Sequence, residues 1–533
     1  MPPSNPPSPA PDKFTASLAV CLILPWLNGY YAGPIANFWP WLVSVICGVF
    51  VALGWGRVSA RLLAFTWLAA ALISSLIALL QYFGMAAGMA PWISPALPGQ
   101  AFANLRQPNL FATLTSIGLV ALLASVVLQK TLTLPAKSID PTHGVSHPLL
   151  SPSLPVWAYS SALLLALGNA ASSSRTGLLE WFLVLVLALW WNRSNRRPLA
   201  TLALLALLMY GAAVAALPMV REWVTGMSSD GLLGRLQEGV GGRRELWDNV
   251  LTLIAQKPWL GWGWGELGYA HFITAYTGAR SMEFFDNAHN LPLQLAVEMG
   301  VPMALLTCLG LAWAVLRAAP WRDTDPGRQM AWAVLGVIGV HSLLEYPLWY
   351  GPFQLAVLCC VAWLWQTRQI LPVQKSRPSS GHAEQESTAV WLAGQKRPAV
   401  AAAVLLVLVY AGFDYVRITQ LYVPSAKRWP AYQQNTLAKV QDSWLFAPQV
   451  LFAVLMMNKV TPTNASSMHA LAQSVLHNAS EAKVVEKLIT SALLSGQRAD
   501  AEFYLTRFRW AYPQDYAAWT QANAALLEAS TLR

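Results

Sequence analysis

The sequence predicts an all-α polytopic membrane protein with about eleven transmembrane helices. Of its 533 residues, 55% are apolar and only 11% are charged, whereas soluble domains carry roughly 25% charged residues. Apolar stretches close to the ~20 residues that cross a bilayer recur through the first three quarters of the chain. The composition therefore excludes an ordinary soluble enzyme, and functional residues are expected at the ends of the spans.

Two terminal regions differ from the predicted membrane domain. Residues 1–13 are rich in proline and serine, which predicts a disordered cytoplasmic tail before a retained first span. Residues 414–533 carry more charge and have helical periodicity without a spanning run, and residues 493–513 resemble part of a tetratricopeptide (TPR) unit. The apolar runs between these regions predict spans at residues 14–30, 36–54, 61–83, 108–128, 154–171, 177–192, 198–218, 291–316, 329–345, 350–367 and 398–413.

The basic residues predict the orientation of these spans. With the amino terminus in the cytoplasm, the inside segments hold sixteen lysines and arginines and the outside segments before residue 414 hold eight, in line with the positive-inside rule. The transmembrane domain is then 14–413, with a large periplasmic loop at 219–290 and a periplasmic helical domain at 414–533. The net charge of +10 is scattered over short loops, so no nucleic-acid partner is predicted.

His289 is the first candidate for catalysis. It lies where a polar loop meets an apolar helix, and Asn287 and Asn290 flank it. A histidine at a wet helix entrance can accept a proton, and a neighbouring amide can fix the tautomer of its ring. A histidine that merely hydrogen-bonds the loop at a helix start is the alternative.

Arginines at two further helix starts are candidates for anion binding. Arg106, Gln107 and Asn109 precede or open a predicted helix with Pro108 in its first turn, where a guanidinium and a helix amino terminus together favour an anion. Arg175 follows a serine-rich turn between two spans. The alternatives are a simple helix cap at the first position and a snorkelling arginine at the second.

The loop 219–290 contains a paired arginine and a glycine-rich segment. Arg243 and Arg244 lead into an amphipathic segment at 245–254, where they can address phosphates at headgroup depth, unless that helix simply rests on the bilayer. The segment 261–265 alternates glycine with tryptophan, but no βαβ unit surrounds it, so it predicts a tight turn with interfacial tryptophans rather than a dinucleotide loop.

Aromatic and acidic residues meet in a short outside turn at 345–350. Tyr346 can hydrogen-bond a sugar or phosphate and Trp349 can stack on a sugar face, whereas anchoring in the aromatic belt is the alternative. Glu345 is expected to be a charge partner for one of the outside arginines. The five cysteines lie in apolar stretches without metal-ligand spacing, so neither a metal nor another cofactor is predicted.

These segments together resemble the bacterial protein O-oligosaccharyltransferases, the pilin-glycosylation ligases of the O-antigen ligase and polymerase superfamily. The segment 102–112 is similar to the amino-terminal signature of the protein-glycosylating branch, which 341–348 also suits. The shared superfamily core is represented by 174–177, 242–247, 258–263 and 288–290.

The resemblance implies a fold of the lipid-dependent glycosyltransferase (GT-C) type in the bacterial inner membrane. It implies transfer of a preassembled glycan from undecaprenyl pyrophosphate to a serine or threonine of a periplasmic acceptor such as pilin, without a metal. The essential histidine would be His289, and functional glutamine and tyrosine would be Gln107 and Tyr346. Either Arg243 or Arg244 would be the core arginine.

Three other functions compete with this prediction. An O-antigen ligase would use the same chemistry with lipid A–core sugar as acceptor, and a polymerase would lengthen the lipid-linked glycan. A secondary transporter or flippase would carry charged residues inside its spans and internal repeats. The spans here hold few charges and no detectable repeat, which favours an enzyme facing one membrane surface.

Overall fold

The computed structural model describes residues 12–133, 154–191, 197–227, 231–232, 241–282, 285–368 and 380–530. Within these ranges every regular element is helical and none is a strand. The all-α prediction is thereby confirmed for the part of the chain that the structure describes. The predicted tail at 1–13 lies outside the described residues except for Asp12 and Lys13, which begin the first helix.

The first seven helices form the main bundle around one hydrophobic core. Its central helix, α4, packs against α3, α5 and α6. Small buried residues on α3, among them Ala71 and Ser75, allow close approach to the neighbouring helices. The bounds are Lys13–Leu27 (α1), Phe38–Leu53 (α2), Ala60–Tyr82 (α3), Pro108–Thr133 (α4), Val156–Ser172 (α5), Arg175–Trp190 (α6) and Arg197–Thr225 (α7).

The described residues of the predicted loop 219–290 include helices. The loop contains the end of α7 and two shorter helices, Gly241–Gln256 (α8) and Leu267–Ile273 (α9). α8 packs against both α9 and the following helix, Leu291–Met299 (α10), around a second, smaller core. The chain then returns to the bundle through Val301–Ala318 (α11), Pro326–Ser342 (α12), Gly351–Gln366 (α13) and Ser380–Thr419 (α14).

The carboxy-terminal region is a set of short helices with its own core. Its first helices pack in sequence order, α16 against α17 and α17 against α18. Phe272 of α9 belongs to the same core, so the loop 219–290 is attached to these helices. The likeness to a tetratricopeptide unit stays a prediction. The bounds are Ala447–Met457 (α15), Ala465–Leu476 (α16), Ala482–Leu494 (α17), Arg498–Ala511 (α18), Pro513–Ala522 (α19) and Ala524–Ala529 (α20).

Five helical segments of the described chain are long and apolar enough to cross a membrane. Other apolar helices, including α1, α2 and α13, are shorter than 18 residues. The predicted number of eleven spans therefore stays a prediction, as does the orientation. The five segments are Ala60–Tyr82, Pro108–Gln129, Pro198–Thr225, Val301–Arg322 and Arg397–Tyr422.

The prediction of one continuous span at 291–316 was wrong. The segment is divided into α10 and α11 at Gly300, whose φ of +86° belongs to a region that favours glycine. A Cβ atom on Gly300 would lie 2.1 Å from the carbonyl oxygen of Trp259, so only glycine fits against this neighbouring loop. The break leaves the nine residues of α10 outside the long apolar helix and in contact with α8.

We expect Gly300→Ala to destabilise the protein by on the order of 1–3 kcal/mol, because both its backbone angle and its contact with Trp259 resist a side chain. Gly310→Ala is the matched control, since a Cβ atom there meets nothing within 4 Å and alanine favours a helix interior. Apparent melting temperatures of the purified proteins in detergent measure the difference. Equal losses for both variants would contradict this account of the break.

Candidate functional site

The carboxylate of Glu345 is the centre of the candidate site. Its Oε1 accepts hydrogen bonds from Arg243 Nη2 at 2.6 Å and from Asn109 Nδ2 at 2.9 Å. Its Oε2 accepts from His289 Nδ1 at 2.6 Å and from Gln107 Nε2 at 3.3 Å. Four of the residues selected from sequence thus meet at one acidic group, although their separations from it along the chain range from 56 to 238 residues.

Helix ends bring these side chains together. α4 begins at Pro108, as its first-turn proline predicts, so Gln107 and Asn109 lie at its amino end. Arg243 lies in the first turn of α8, and Glu345 follows the end of α12 by three residues. The site therefore forms where four helix termini face each other, and the polar groups of those termini stay near the protein surface.

Glu345 is held as a carboxylate by its donors. Its side chain is only 5% exposed, and this burial raises its pKa, but the hydrogen bond from His289 and the positive charge of Arg243 outweigh burial and lower the pKa below 4.5. A lowered pKa in the folded state means that Glu345 stabilises the fold at pH values above about 4.5. This stabilisation is lost as the pH falls below that value.

The geometry of His289 leaves one ring nitrogen available for proton transfer. An ionised carboxylate can only accept hydrogen bonds, so Nδ1 of His289 carries the proton that it shares with Glu345. The other nitrogen, Nε2, then has the lone pair of a base. The side chain is 24% exposed, and its backbone has a φ of +50°, which costs free energy and is fixed by a hydrogen bond from its N–H to Asn287.

The structure distinguishes the two members of the arginine pair. Arg243 is in contact with Glu345, and its side chain is 29% exposed. The adjacent Arg244 is an exposed residue. The expectation that Glu345 is the charge partner of an outside arginine is met by Arg243. The remaining arginines lie nearby but not on Glu345: Arg106, with φ of +61°, stacks 3.7 Å from the ring centre of Tyr31, and Arg175 is the exposed first residue of α6.

Asn290 and Tyr346 frame the histidine. Asn290 caps α10 by accepting from the N–H of Leu293, and its Nδ2 donates to the carbonyl of Leu343, which ties the loop of His289 to the end of α12. The ring of Tyr346 lies 5.0 Å from the ring of His289 in an edge-on arrangement. Burial raises the pKa of Tyr346, so its hydroxyl is neutral and able to donate.

A second polar layer lies beneath the first. Thr113 is one helical turn beyond Asn109 on α4, and His341 is one turn before Glu345 on α12. The hydroxyl of Thr113 contacts the carboxyl of Glu180 on α6 at 2.7 Å and also Nδ1 of His341. All three side chains are fully buried. α4, α6 and α12 are therefore joined to each other directly below the site.

The site residues selected from sequence include neither Glu180 nor His341. The sequence does contain a sign of this layer: the carboxyl of Glu180 and the imidazole of His341 lie inside otherwise apolar helices, where an ionisable group needs a partner. This layer lies inside the helices, below the helix ends at which functional residues were expected. Among the residues that the structure describes, no group of three histidines, cysteines or acidic residues could hold a metal ion.

Three family models match separate parts of the chain. A model described as Protein glycosylation ligase matches residues 101–124, one described as O-Antigen ligase matches 160–308, and one described as Virulence factor membrane-bound polymerase, C-terminal matches 329–526. Each match supplies part of the cluster at Glu345. The first contains Gln107 and Asn109, the second Arg243 and His289, and the third Glu345 itself.

Two curated proteins of Acinetobacter baylyi are similar to the chain. A General O-oligosaccharyltransferase is 26% identical over 304 residues, which are 54% of this chain and 48% of that protein. A ComP-specific O-oligosaccharyltransferase is 29% identical over 115 residues, 22% of this chain and 21% of that protein. The matched region thus spans at most about half the length of these relatives. No solved structure matches the chain.

We expect Glu180→Leu to lower stability by about 1–3 kcal/mol, because it removes an acceptor and leaves Thr113 and His341 buried without it. Glu180→Gln retains an acceptor oxygen and should cost less. Glu222→Leu, at an exposed position of α7, serves as the control. The apparent melting temperature in detergent is the measurement, and an unchanged value for Glu180→Leu would show that this layer does not hold the helices together.

Proposed function

We propose, starting from the confirmed resemblance of this chain to the O-oligosaccharyltransferases, that it transfers a preassembled glycan from undecaprenyl pyrophosphate to a serine or threonine hydroxyl of a periplasmic acceptor protein such as a pilin. The observation that carries the proposal is the hydrogen bond of 2.6 Å between His289 and Glu345. It gives the chain an oriented base at the membrane surface, where a lipid-linked donor and a soluble acceptor can meet.

His289 acts as the general base in this proposal. Its Nε2 takes the proton of the acceptor hydroxyl as the oxygen attacks the anomeric carbon of the glycan. The ionised Glu345 stabilises the imidazolium that forms, because the carboxylate already accepts the Nδ1 proton. The bond from the anomeric carbon to the pyrophosphate oxygen breaks, its electron pair leaves with the pyrophosphate, and attack from the opposite face inverts the anomeric centre.

Arginine supplies the positive charge that the leaving pyrophosphate requires. Arg243 and His289, the proposed base, both contact the carboxylate of Glu345, and Arg243 remains partly exposed. Its guanidinium has five N–H groups, so the bond to Glu345 leaves others for phosphate oxygens. Arg244, Arg106 and Arg175 lie at neighbouring helix starts and add to the field at the same surface. The reaction thus needs no metal ion, which the resemblance also implies.

The acceptor separates this function from its nearest rival. The match to the Protein glycosylation ligase model at 101–124 and the printed names of both relatives favour a protein acceptor. The match to the O-Antigen ligase model at 160–308 favours a lipid A–core acceptor for the same chemistry. Both readings place the site on the periplasmic face of the inner membrane, with undecaprenyl pyrophosphate as the donor lipid.

Co-expression decides between the two acceptors. The full chain is expressed with a lipid-linked glycan pathway and a candidate pilin in a host that lacks its own ligase. A glycan-dependent mass shift on pilin supports protein glycosylation, and a shift on lipopolysaccharide supports the O-antigen ligase. The absence of both shifts with an inserted, stable protein would reject glycan transfer to either acceptor.

We expect His289→Ala to abolish transfer while the protein still inserts and accumulates, because the acceptor loses its base. Glu345→Gln should reduce the rate at least about a hundredfold. Since the two groups act as one unit, the double variant should be no slower than His289→Ala alone. Rates of pilin glycosylation measure all three, and near-normal glycosylation by His289→Ala would remove the basis of the base assignment.

We expect Arg243→Ala to reduce transfer on the order of a hundredfold, by loss of a preorganised donor to the leaving group. Arg243→Lys should restore little, because a point charge lacks the fork that binds a carboxylate and a phosphate together. Arg244→Ala, at the adjacent exposed position, should have the smaller effect. Activity should also persist in EDTA, and its loss with recovery on adding Mg²⁺ or Mn²⁺ would contradict the arginine mechanism.

A further inference from the structure

A continuous strip of aromatic rings leads away from the proposed base. The ring of Tyr346 lies 5.0 Å from that of His289, and Trp349 lies 6.4 Å from Tyr346. Trp264 lies 6.3 Å from Trp349, with the two rings within 5° of parallel. The strip thus begins at the base and ends at an indole that is 68% exposed.

The outermost ring is held by a rigid loop. Gly261, Gly263 and Gly265 all have positive φ angles, and a Cβ atom on Gly261 would lie 2.4 Å from the backbone of Glu298. Trp262 and Gly263 donate their N–H groups to carbonyls at the end of α10, and Gly265 donates to the side chain of Glu298. The loop is therefore fastened to the helix that follows His289.

This fastening fixes the distance between the base and the last ring. His289 precedes the start of α10, and the glycine loop binds the end of the same helix, which is only nine residues long. The other side of the strip is equally local, because Tyr346 and Trp349 belong to one short turn that follows Glu345. The backbone on both sides of Trp264 is held in this way and its ring lies parallel to that of Trp349, so the two indoles are arranged before a ligand binds.

We propose that Trp264 and Trp349 form a binding site for the sugars of the glycan beyond the one that is transferred through its anomeric carbon. The inference rests on the proposed function. Pyranose rings present a face of C–H groups that packs on an aromatic ring, and a preassembled glycan extends from the reacting carbon in one direction. The strip runs outward from the base in the same manner, so it selects donors that carry several sugars over donors that carry one.

Anchoring of Trp264 in the membrane interface is the competing explanation of its exposure. Trp259 provides the matched control, because it lies in the same loop and is 77% exposed but is not part of the strip. An anchoring role would apply to both tryptophans and would not depend on the donor. A glycan site applies to Trp264 alone and depends on the number of sugars.

The test uses the purified full chain in lipid nanodiscs with an acceptor pilin. The donors are undecaprenyl pyrophosphates that carry one sugar or a defined longer oligosaccharide, and kcat and KM are measured for each. For Trp264→Ala, we expect the ratio of kcat/KM for the long donor over the single-sugar donor to fall about five- to tenfold, mainly through KM. Trp264→Phe should recover most of the ratio, and Trp259→Ala should leave it unchanged.

The outcomes separate this inference from the function on which it rests. An inactive wild-type chain with every donor rejects the proposed function and this site with it. An active wild-type chain whose ratio is the same in Trp264→Ala rejects the glycan site alone. An equal loss with both donors, or the same loss in Trp259→Ala, assigns Trp264 to folding or membrane anchoring. A Trp264→Leu variant keeps an apolar side chain without a ring, and its failure to recover the ratio supports stacking on a ring.

Discussion

One buried carboxylate, Glu345, determines the arrangement of the whole site. A carboxylate out of water needs several donors, and Glu345 receives four: Gln107 and Asn109 at the start of α4, Arg243 at the start of α8 and His289 in the loop before α10. Removing any donor would leave the buried charge of Glu345 with fewer partners. The three segments that supply the donors and the turn that carries Glu345 are therefore constrained together. His289, the proposed base, and Arg243, the proposed positive group, are thus positioned by the two oxygens of one carboxylate.

The polar layer beneath Glu345 explains how this charge is tolerated at the end of apolar helices. Asn109 and Thr113 are one turn apart on α4, and Glu345 and His341 are one turn apart across the end of α12. The lower pair, Thr113 and His341, is in direct contact, and Thr113 also donates to Glu180 of α6. α4 and the end of α12 therefore contribute to both layers, and a rotation of either helix that broke one layer would also leave buried polar groups in the other unpaired.

The sequence predicted the helices better than it predicted their breaks and contacts. Apolar runs indicated where helices lie, because burial in lipid or protein requires apolar side chains, but nothing in residues 291–316 shows that Trp259 occupies the space beside Gly300. The residues that contact Glu345 were selected because they are polar groups at or near the starts of predicted helices in a mostly apolar chain. Their common partner was underrated, since a single glutamate has no pattern of its own and acquires four donors only when distant segments meet.

The proposed chemistry of His289 and Glu345 does not by itself select an acceptor, because a base and a leaving-group site would serve any hydroxyl. Selection must therefore come from surfaces outside the cluster at Glu345. α9 packs into the carboxy-terminal core through Phe272, and Arg507 of α18 donates to the carbonyl of Ile273. Since α9 also packs on α8, which carries Arg243, a protein bound by the carboxy-terminal helices would be held at a fixed position relative to the base.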